Sequence, residues 1–309
     1  MRIAVFGAGG VGGYFGGRLA FSGEEVFFIA RGEHLRAMQV DGLRVDSLQG
    51  DFRLQPVQAT DDPGQVGQVD MILVAVKAWQ VVEAAQVMLP MIGSTTFVVP
   101  VLNGVEAPTQ LAAALGEERV LGGLCRISSH IAGPGHIRHV GIEPHIAFGE
   151  LDNRASQRCE RLKAAFQRAS VSVEIPVDIW AAIWDKFLFI ASLSGVGAVT
   201  RAPVGVMRSL PGTRRLLEQA MGEIIAVAQA YEVRLPVDAV TRKLDFIDRL
   251  PEDTLASMQR DILAGRPSEL EAQTGAVVRL VRARGVPTPV IAFLYDSLLP
   301  QELRASGEI

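Results

Sequence analysis

Of the 30 basic residues in this 309-residue chain only four are lysines, Lys77, Lys163, Lys186 and Lys243, and the other 26 are arginines. A lysine can lose its proton near neutral pH when its surroundings lower its pKa, whereas an arginine cannot. A lysine in apolar company therefore raises a question of proton chemistry. Lys77 follows the apolar run Val74-Ala75-Val76, at what reads as the end of a strand. Lys186 lies inside Trp180–Phe189, which is apolar almost all round if helical. Two readings of Lys186 stand side by side: a chemically active amine, or a snorkelling side chain paired with Asp185 or a neighbouring carboxylate.

A second group of residues has the spacing of a phosphate cradle. Gly7-Ala8-Gly9-Gly10-Val11-Gly12 fits G-x-G-x-x-G, follows the apolar run Ile3–Phe6 and opens a helical pattern. In that context the first glycine makes the tight turn, the second lets backbone approach a pyrophosphate, and the third lets helix pack on strand. The helix N-terminus then faces the phosphates. A glycine-rich turn without a ligand is the plainer reading. The second strand ends in Ile29-Ala30-Arg31-Gly32, with no acid at its tip to take a ribose hydroxyl. Arg31 could instead meet a 2′-phosphate with its forked guanidinium, which favours NADPH over NADH; the bland alternative is a surface arginine.

Other candidates are weaker alone. Asn103-Gly104 is a common turn dipeptide, or else a carboxamide held at a strand end beside a cofactor. Ser268 and Glu271 have the spacing of a capping box, which puts Glu269 in the first turn of a helix, where an acid needs no function. Ser257 has no distinguishing context. His130, His136, His139 and His145 have no acids or cysteines to complete a metal site, and hydrogen-bonded strand histidines are expected.

These residues need elements to position them. Arg2–Phe6, Glu25–Ala30, Asp70–Val76 and Thr96–Val101 read as strands, and Val11–Phe21 and Ala78–Leu89 as helices. That alternation predicts an α/β fold with a doubly wound parallel sheet. Leu43–Asp46 and Phe52–Pro56 look like a strand pair. Val120–Phe148 reads as antiparallel strands added at the edge of the sheet, followed by a helix over Asn153–Ala169 and a short strand over Val171–Ile175. After Pro176 the pattern turns helical to the end, with prolines at regular gaps marking starts and stops. The expected division is a dinucleotide-binding domain over 1–177 and an all-α domain over 178–309.

Composition narrows the function classes. Hydrophobic residues make up 49% and charged residues 21%, with a net charge of −4. A chain-wide basic field is absent, so neither nucleic acid nor an anionic membrane is the expected partner. The apolar stretch Ile179–Val199 carries Asp185 and Lys186 near its middle and reads as a buried helix rather than a membrane span. Two cysteines are too few for a disulfide scaffold or a zinc site, no targeting segment stands out, and the expected compartment is the cytoplasm.

Taken together the chain resembles the ketopantoate reductase family (2-dehydropantoate 2-reductases) over essentially its whole length. The resemblance rests on the glycine loop, Arg31, Val76-Lys77-Ala78-Trp79-Gln80, Asn103-Gly104, Trp184-Asp185-Lys186, and Ser257 followed twelve residues later by Glu269. It implies an N-terminal Rossmann domain, a C-terminal helical domain, and NADPH-dependent reduction in pantothenate biosynthesis. By position, Lys186 matches the family's catalytic lysine and Glu269 its supporting acid. Asn103 and Lys77 match residues near nicotinamide and substrate, Arg31 the holder of the 2′-phosphate, and Ser257 a substrate-binding serine. The best-known members carry asparagine four and eight residues after the lysine; here those positions are Ile190 and Ser194. Ser194 can still bind substrate through a hydrogen bond, but Ile190 cannot, at a cost of about 1–3 kcal/mol for an unpaired hydroxyl.

The expectation is an NADPH-dependent oxidoreductase of a small 2-oxo acid, ketopantoate first, with no metal and with a homodimer as the candidate assembly. The rivals are a reductase of a different 2-oxo acid, a 3-hydroxy acid dehydrogenase of similar build, and a non-catalytic NADPH-binding or sensing protein.

Overall fold

Met71-Ile72-Leu73-Val74 has no polar side because its strand is covered on both faces. The computed structural model describes residues 1–309. The first part of the chain runs β1 (Arg2–Phe6), α1 (Gly10–Phe21), β2 (Glu25–Ile29), α2 (Gly32–Asp41), β3 (Leu43–Ser47), β4 (Phe52–Leu54), β5 (Gln58–Thr60), β6 (Val69–Val74), α3 (Val81–Val87), β7 (Ile92–Pro100), α4 (Ala107–Leu115), β8 (Leu121–Arg126), β9 (Ser129–Gly133), β10 (His136–His139), β11 (His145–Glu150), α5 (Gln157–Arg168) and β12 (Ser172–Glu174). Met1–Leu102 and Ala107–Ile179 form one compact unit.

Its main sheet has the order β5-β2-β1-β6-β7, with every neighbouring pair parallel. Successive strands move outward from β1 in one direction and then from β6 in the other. The order therefore reverses between β1 and β6, the place where open α/β sheets bind ligands beyond their strand ends.

The strands between Val120 and Phe148 do not extend this sheet. β9 and β10 join β3 and β4 in a second sheet of order β4-β3-β10-β9, while β8 and β11 make a third with β12. A lone bridge, Val98 to Val120, links β7 to the residue before β8. The second sheet has a packing role: it covers the far side of α1. A side chain at Gly16 would meet Val5 and Phe28 of the main sheet within 2.7 Å, and one at Gly13 would meet Ile137 of β10 at 2.8 Å. Glycines thus let α1 sit between two sheets, with Tyr14, Phe15 and Leu19 fully buried.

The second compact unit joins Trp180–Ile309 to the short segment Asn103–Glu106, which leaves β7 before the chain returns through α4. It contains α6 (Ile179–Thr200, its first residue assigned to the other unit), α7 (Val204–Ser209), α8 (Pro211–Ala230), α9 (Ala239–Arg249), α10 (Ser257–Leu263), α11 (Thr274–Arg284) and α12 (Pro289–Ser306). By length and composition α6 could cross a membrane, but 67% of its apolar window is buried inside the protein, as befits a core helix. Its end is tied by Gln259, whose carboxamide donates to the Gly197 and Ala202 carbonyls at 3.0 and 2.9 Å. The start of α12 is capped from α8, where Glu223 accepts from the Val290 and Ile291 amides at 2.9 and 2.8 Å. Both contacts satisfy helix-end groups that would otherwise lack partners.

Candidate active site

In the first unit the glycine loop grows directly out of β1. The Gly7 amide donates to the Ile29 carbonyl, and the Ala75 amide to the Phe6 carbonyl. Gly7 has φ +97°, and a side chain at Gly12 would fall 2.0 Å from the Gly7 carbonyl oxygen and 3.0 Å from Val5. The turn and the helix-on-strand contact therefore both demand glycine. Gly9 precedes the first turn of α1, has nothing within 4 Å of the place its side chain would occupy, and is followed by a turn with no acid. With Ala8, Gly10 and Val11 it leaves first-turn amides without intrahelical acceptors, an arrangement suited to an anionic phosphate.

His34, which the sequence reading passed over, braces this loop. From α2 its Nε2 lies 2.9 Å from the Ala8 carbonyl, while its Nδ1 accepts from the Gly135 amide at 3.1 Å. The second contact requires a bare Nδ1, so the proton sits on Nε2 and is donated to Ala8. Burial, ahead of the opposing effect of the Ala8 contact, pulls the His34 pKa below its ordinary 6.5. Only the tertiary fold brings the Gly133-Pro134-Gly135 turn to this ring, and sequence carried no signal of it.

Arg31 stands at the start of α2 with its side chain 66% exposed. Glu83 of α3 approaches its guanidinium to 3.6 Å. The tip of β2 lacks an acid of its own, but one arrives from another element. Lys77 lies three residues beyond β6 and begins a short 3-10 turn, Ala78–Gln80, ahead of α3. Its ammonium is 5.7 Å from the centre of the exposed Trp79 ring, within range of a cation–π contact.

In the second unit Asn103 donates from Nδ2 to Oε2 of Glu269 at 2.9 Å. Glu269 is buried, at 6% exposure. It does not lie in the first turn of a helix as the capping-box spacing suggests. α11 begins only at Thr274, and Glu269 opens a series of turns in which its carbonyl accepts from the Ala272 and Gln273 amides. The supposed box is also partnered differently: Glu302 of α12 takes both the amide and the hydroxyl of Ser268. Glu271 turns to Arg279 and Tyr295.

Lys186, Ile190 and Ser194 fall at successive four-residue steps of α6 and so share a helix face. Lys186 is half-buried. Its sequence neighbour Asp185 pairs with Lys243 of α9. Ser194 is fully buried and its hydroxyl has no hydrogen-bond partner. The same holds for Ser192, Thr274 and both amide atoms of Gln273, four residues after Glu269. Buried polar groups are normally satisfied, and each that is not costs about 1–3 kcal/mol. Ser257 is the first residue of α10 and is half-buried.

Of the other histidines, His130 lies on β9, His136 contacts Asp46, His139 contacts Ser47 and the Ile142 carbonyl, and His145 contacts Ser172.

A parallel sheet with this loop at its switch point is an arrangement suited to receiving a dinucleotide at the strand ends. Residues 3–153 match the family described as ketopantoate reductase PanE/ApbA, and residues 178–302 match its C-terminal part. The chain belongs to the ketopantoate reductase family. It is 31% identical over 300 residues to the uncharacterized oxidoreductase YkpB of Bacillus subtilis (strain 168), covering 96% of this chain and 98% of that one. It is 29% identical over 302 residues to the 2-dehydropantoate 2-reductase of Nostoc sp., covering 96% and 94%. Among solved structures, a PanE/ApbA family ketopantoate reductase from Ralstonia eutropha JMP134 superposes with a TM-score of 0.91 at 30% identity, covering 99% of this chain and all of that one.

Proposed function

We propose that this protein reduces a small 2-oxo acid with NADPH, with 2-dehydropantoate (ketopantoate) as first candidate and pantoate as its product. The observation that carries the reading is the Asn103–Glu269 hydrogen bond, on the unit that also holds Lys186. In this reading residues 1–177 bind the nucleotide and 178–309 hold the substrate and form a homodimer. The enzyme works in the cytoplasm, in keeping with Cys125 and Cys159 being buried thiols outside any disulfide, and serves pantothenate biosynthesis if ketopantoate is its substrate.

The residues present fit a dinucleotide. Gly7, Ala8, Gly9, Gly10, Val11 and Gly12 would hold the pyrophosphate, Arg31 the 2′-phosphate, and Asn103 and Lys77 the nicotinamide side. When bound, NADPH supplies the hydride that the substrate's carbonyl carbon accepts. Lys186 holds a proton for the ketone oxygen and stabilises the negative charge that grows there. Glu269, oriented by Asn103, supports the lysine and the substrate. Ser194 and Ser257 bind the substrate's polar groups, and the unpartnered Ser194 hydroxyl supports that role. Lys77 offers positive charge to the carboxylate.

Ile190 favours a second reading, in which the preferred substrate is a 2-oxo acid lacking the hydroxyl of ketopantoate. The chemistry is tested by turnover of Lys186→Ala and Lys186→Arg beside NADPH binding. Lys186→Ala should lose about 10²-fold or more in kcat with the NADPH Kd nearly unchanged. Lys186→Arg should not restore activity, since arginine keeps its proton. A Lys186→Ala enzyme with unchanged turnover would remove the assignment.

A further inference from the structure

We propose that Arg279 is a positioning residue: it fixes the segment Asn103–Glu106 on the turn that carries Glu269 and so sets the geometry of the Asn103–Glu269 pair. The inference rests on the reading of Asn103 and Glu269 as site residues. In sequence the segment belongs between β7 and α4, yet it packs with the helical unit. At one end Asn103 reaches Glu269. Next, Gly104 has φ +102°, and a side chain there would stand 3.0 Å from the Ala272 carbonyl oxygen, so backbone lies against backbone. At the other end Glu106 accepts from Nη2 of Arg279 at 2.7 Å.

The same guanidinium holds the opposite side of the junction. It donates to the Glu271 carboxylate at 2.6 Å and to the Glu271 carbonyl at 2.7 Å, two residues after Glu269. Tyr295 of α12 donates to the other Glu271 oxygen at 2.6 Å. Burial, helped by that bond, pushes the Tyr295 phenol up to about 12, so it remains a donor across the working range. One planar fork thus ties Glu106, three residues after Asn103, to Glu271. A lysine is a point charge without that geometry and could not make the three bonds in the same plane. The Arg279 side chain is 43% exposed, and ion pairs of that kind add little to global stability. Its contribution lies in placement, because small displacements of a positioned group are costly to the chemistry while leaving the fold intact.

The test compares wild type with Arg279→Gln, Arg279→Lys, Glu106→Ala and the Arg279→Gln/Glu106→Ala double variant. The first readout is the Asn103 side-chain amide resonance by NMR, assigned by its loss in Asn103→Ala. Arg279→Gln should move it toward the position of a solvated amide. The second is the kinetics with whichever 2-oxo acid the wild type turns over. Arg279→Gln should lower kcat about tenfold. Arg279→Lys should recover only part of the loss, and the double variant should be no worse than Arg279→Gln. If Arg279→Gln does not fold, Glu106→Ala removes the acceptor of the same bridge from the loop side and is read in its place. An unmoved Asn103 resonance in the variant that breaks the bridge overturns the proposal, as does unchanged kcat. Should the wild type turn over no 2-oxo acid, the functional reading fails, and the resonance alone decides whether Arg279 positions Asn103.

Discussion

Asn103 and Glu269 stand 166 residues apart in the chain and share a hydrogen bond of 2.9 Å. The carboxamide nitrogen donates to Oε2 of Glu269, which leaves the second oxygen of that carboxyl group for other partners. Asn103→Ala should cost about tenfold in kcat by freeing that carboxylate. Asn103→Asp should cost more, because two carboxylates in contact cannot both stay ionised. It should also shift the acid limb of the pH–rate profile upward. Steady-state kinetics over pH 5–9 checks both; an Asp variant as active as the Ala variant would refute the argument.

If Arg31 holds a 2′-phosphate as proposed, Arg31 and Glu83 together set the cofactor preference. Arg31→Ala should weaken NADPH by about tenfold or more while hardly touching NADH. Glu83 competes with a 2′-phosphate for the guanidinium, so Glu83→Gln should tighten NADPH a few-fold at most, as befits an exposed pair worth about 0–1 kcal/mol. Fluorescence titration with both nucleotides measures this. Equal wild-type affinities for NADPH and NADH would contradict it.

His34 makes the glycine loop sensitive to acid. Its folded pKa lies below the ordinary 6.5, so below pH 6.5 the unfolded chain takes up a proton that the native chain resists. The stability contribution is therefore complete above 6.5 and is lost as pH falls through the lowered folded value. Protonation would also set an N–H against the Gly135 amide and release the turn. NADPH affinity should accordingly weaken as pH falls from 7 to 5, and His34→Gln should flatten that dependence. Titrations at several pH values in wild type and variant would show it; identical pH slopes would remove His34 from the account.

The proposed site puts substrate preference on the α6 face that carries Lys186, Ile190 and Ser194. If Ile190 replaces a hydrogen bond, Ile190→Asn should shift kcat/KM toward ketopantoate by about tenfold, equivalent to about 1.4 kcal/mol. A wild type already efficient on ketopantoate, and indifferent to the substitution, would overturn the specificity argument and leave the chemistry standing.

What was legible in the sequence was local. The glycine loop could be read because strand, turn and helix follow one another within a dozen residues, and β6 because a strand covered on both faces must be apolar throughout. The helical second half could be read from periodicity and prolines. The strands after Val120 were misplaced because alternation marks a strand but not its partner: β10 pairs with β3, more than eighty residues earlier. Ser268 and Glu271 had the spacing of a cap, but Glu302 from α12 took that place. Asn103-Gly104 looked like any turn, and only the fold put Ala272 against the glycine and Glu269 against the asparagine. Glu83, His34 and Arg279 act on residues that are distant in sequence, and their surroundings offered no periodic or spacing signal.

The most direct test of the central claim is NADPH oxidation by the wild-type enzyme, followed by loss of absorbance, across a panel of 2-oxo acids that includes ketopantoate. The account predicts steady multiple turnover on at least one of them, with little or none on 3-oxo acids. Tight NADPH binding without turnover on any 2-oxo acid would contradict it and point to a protein that binds the cofactor without using it.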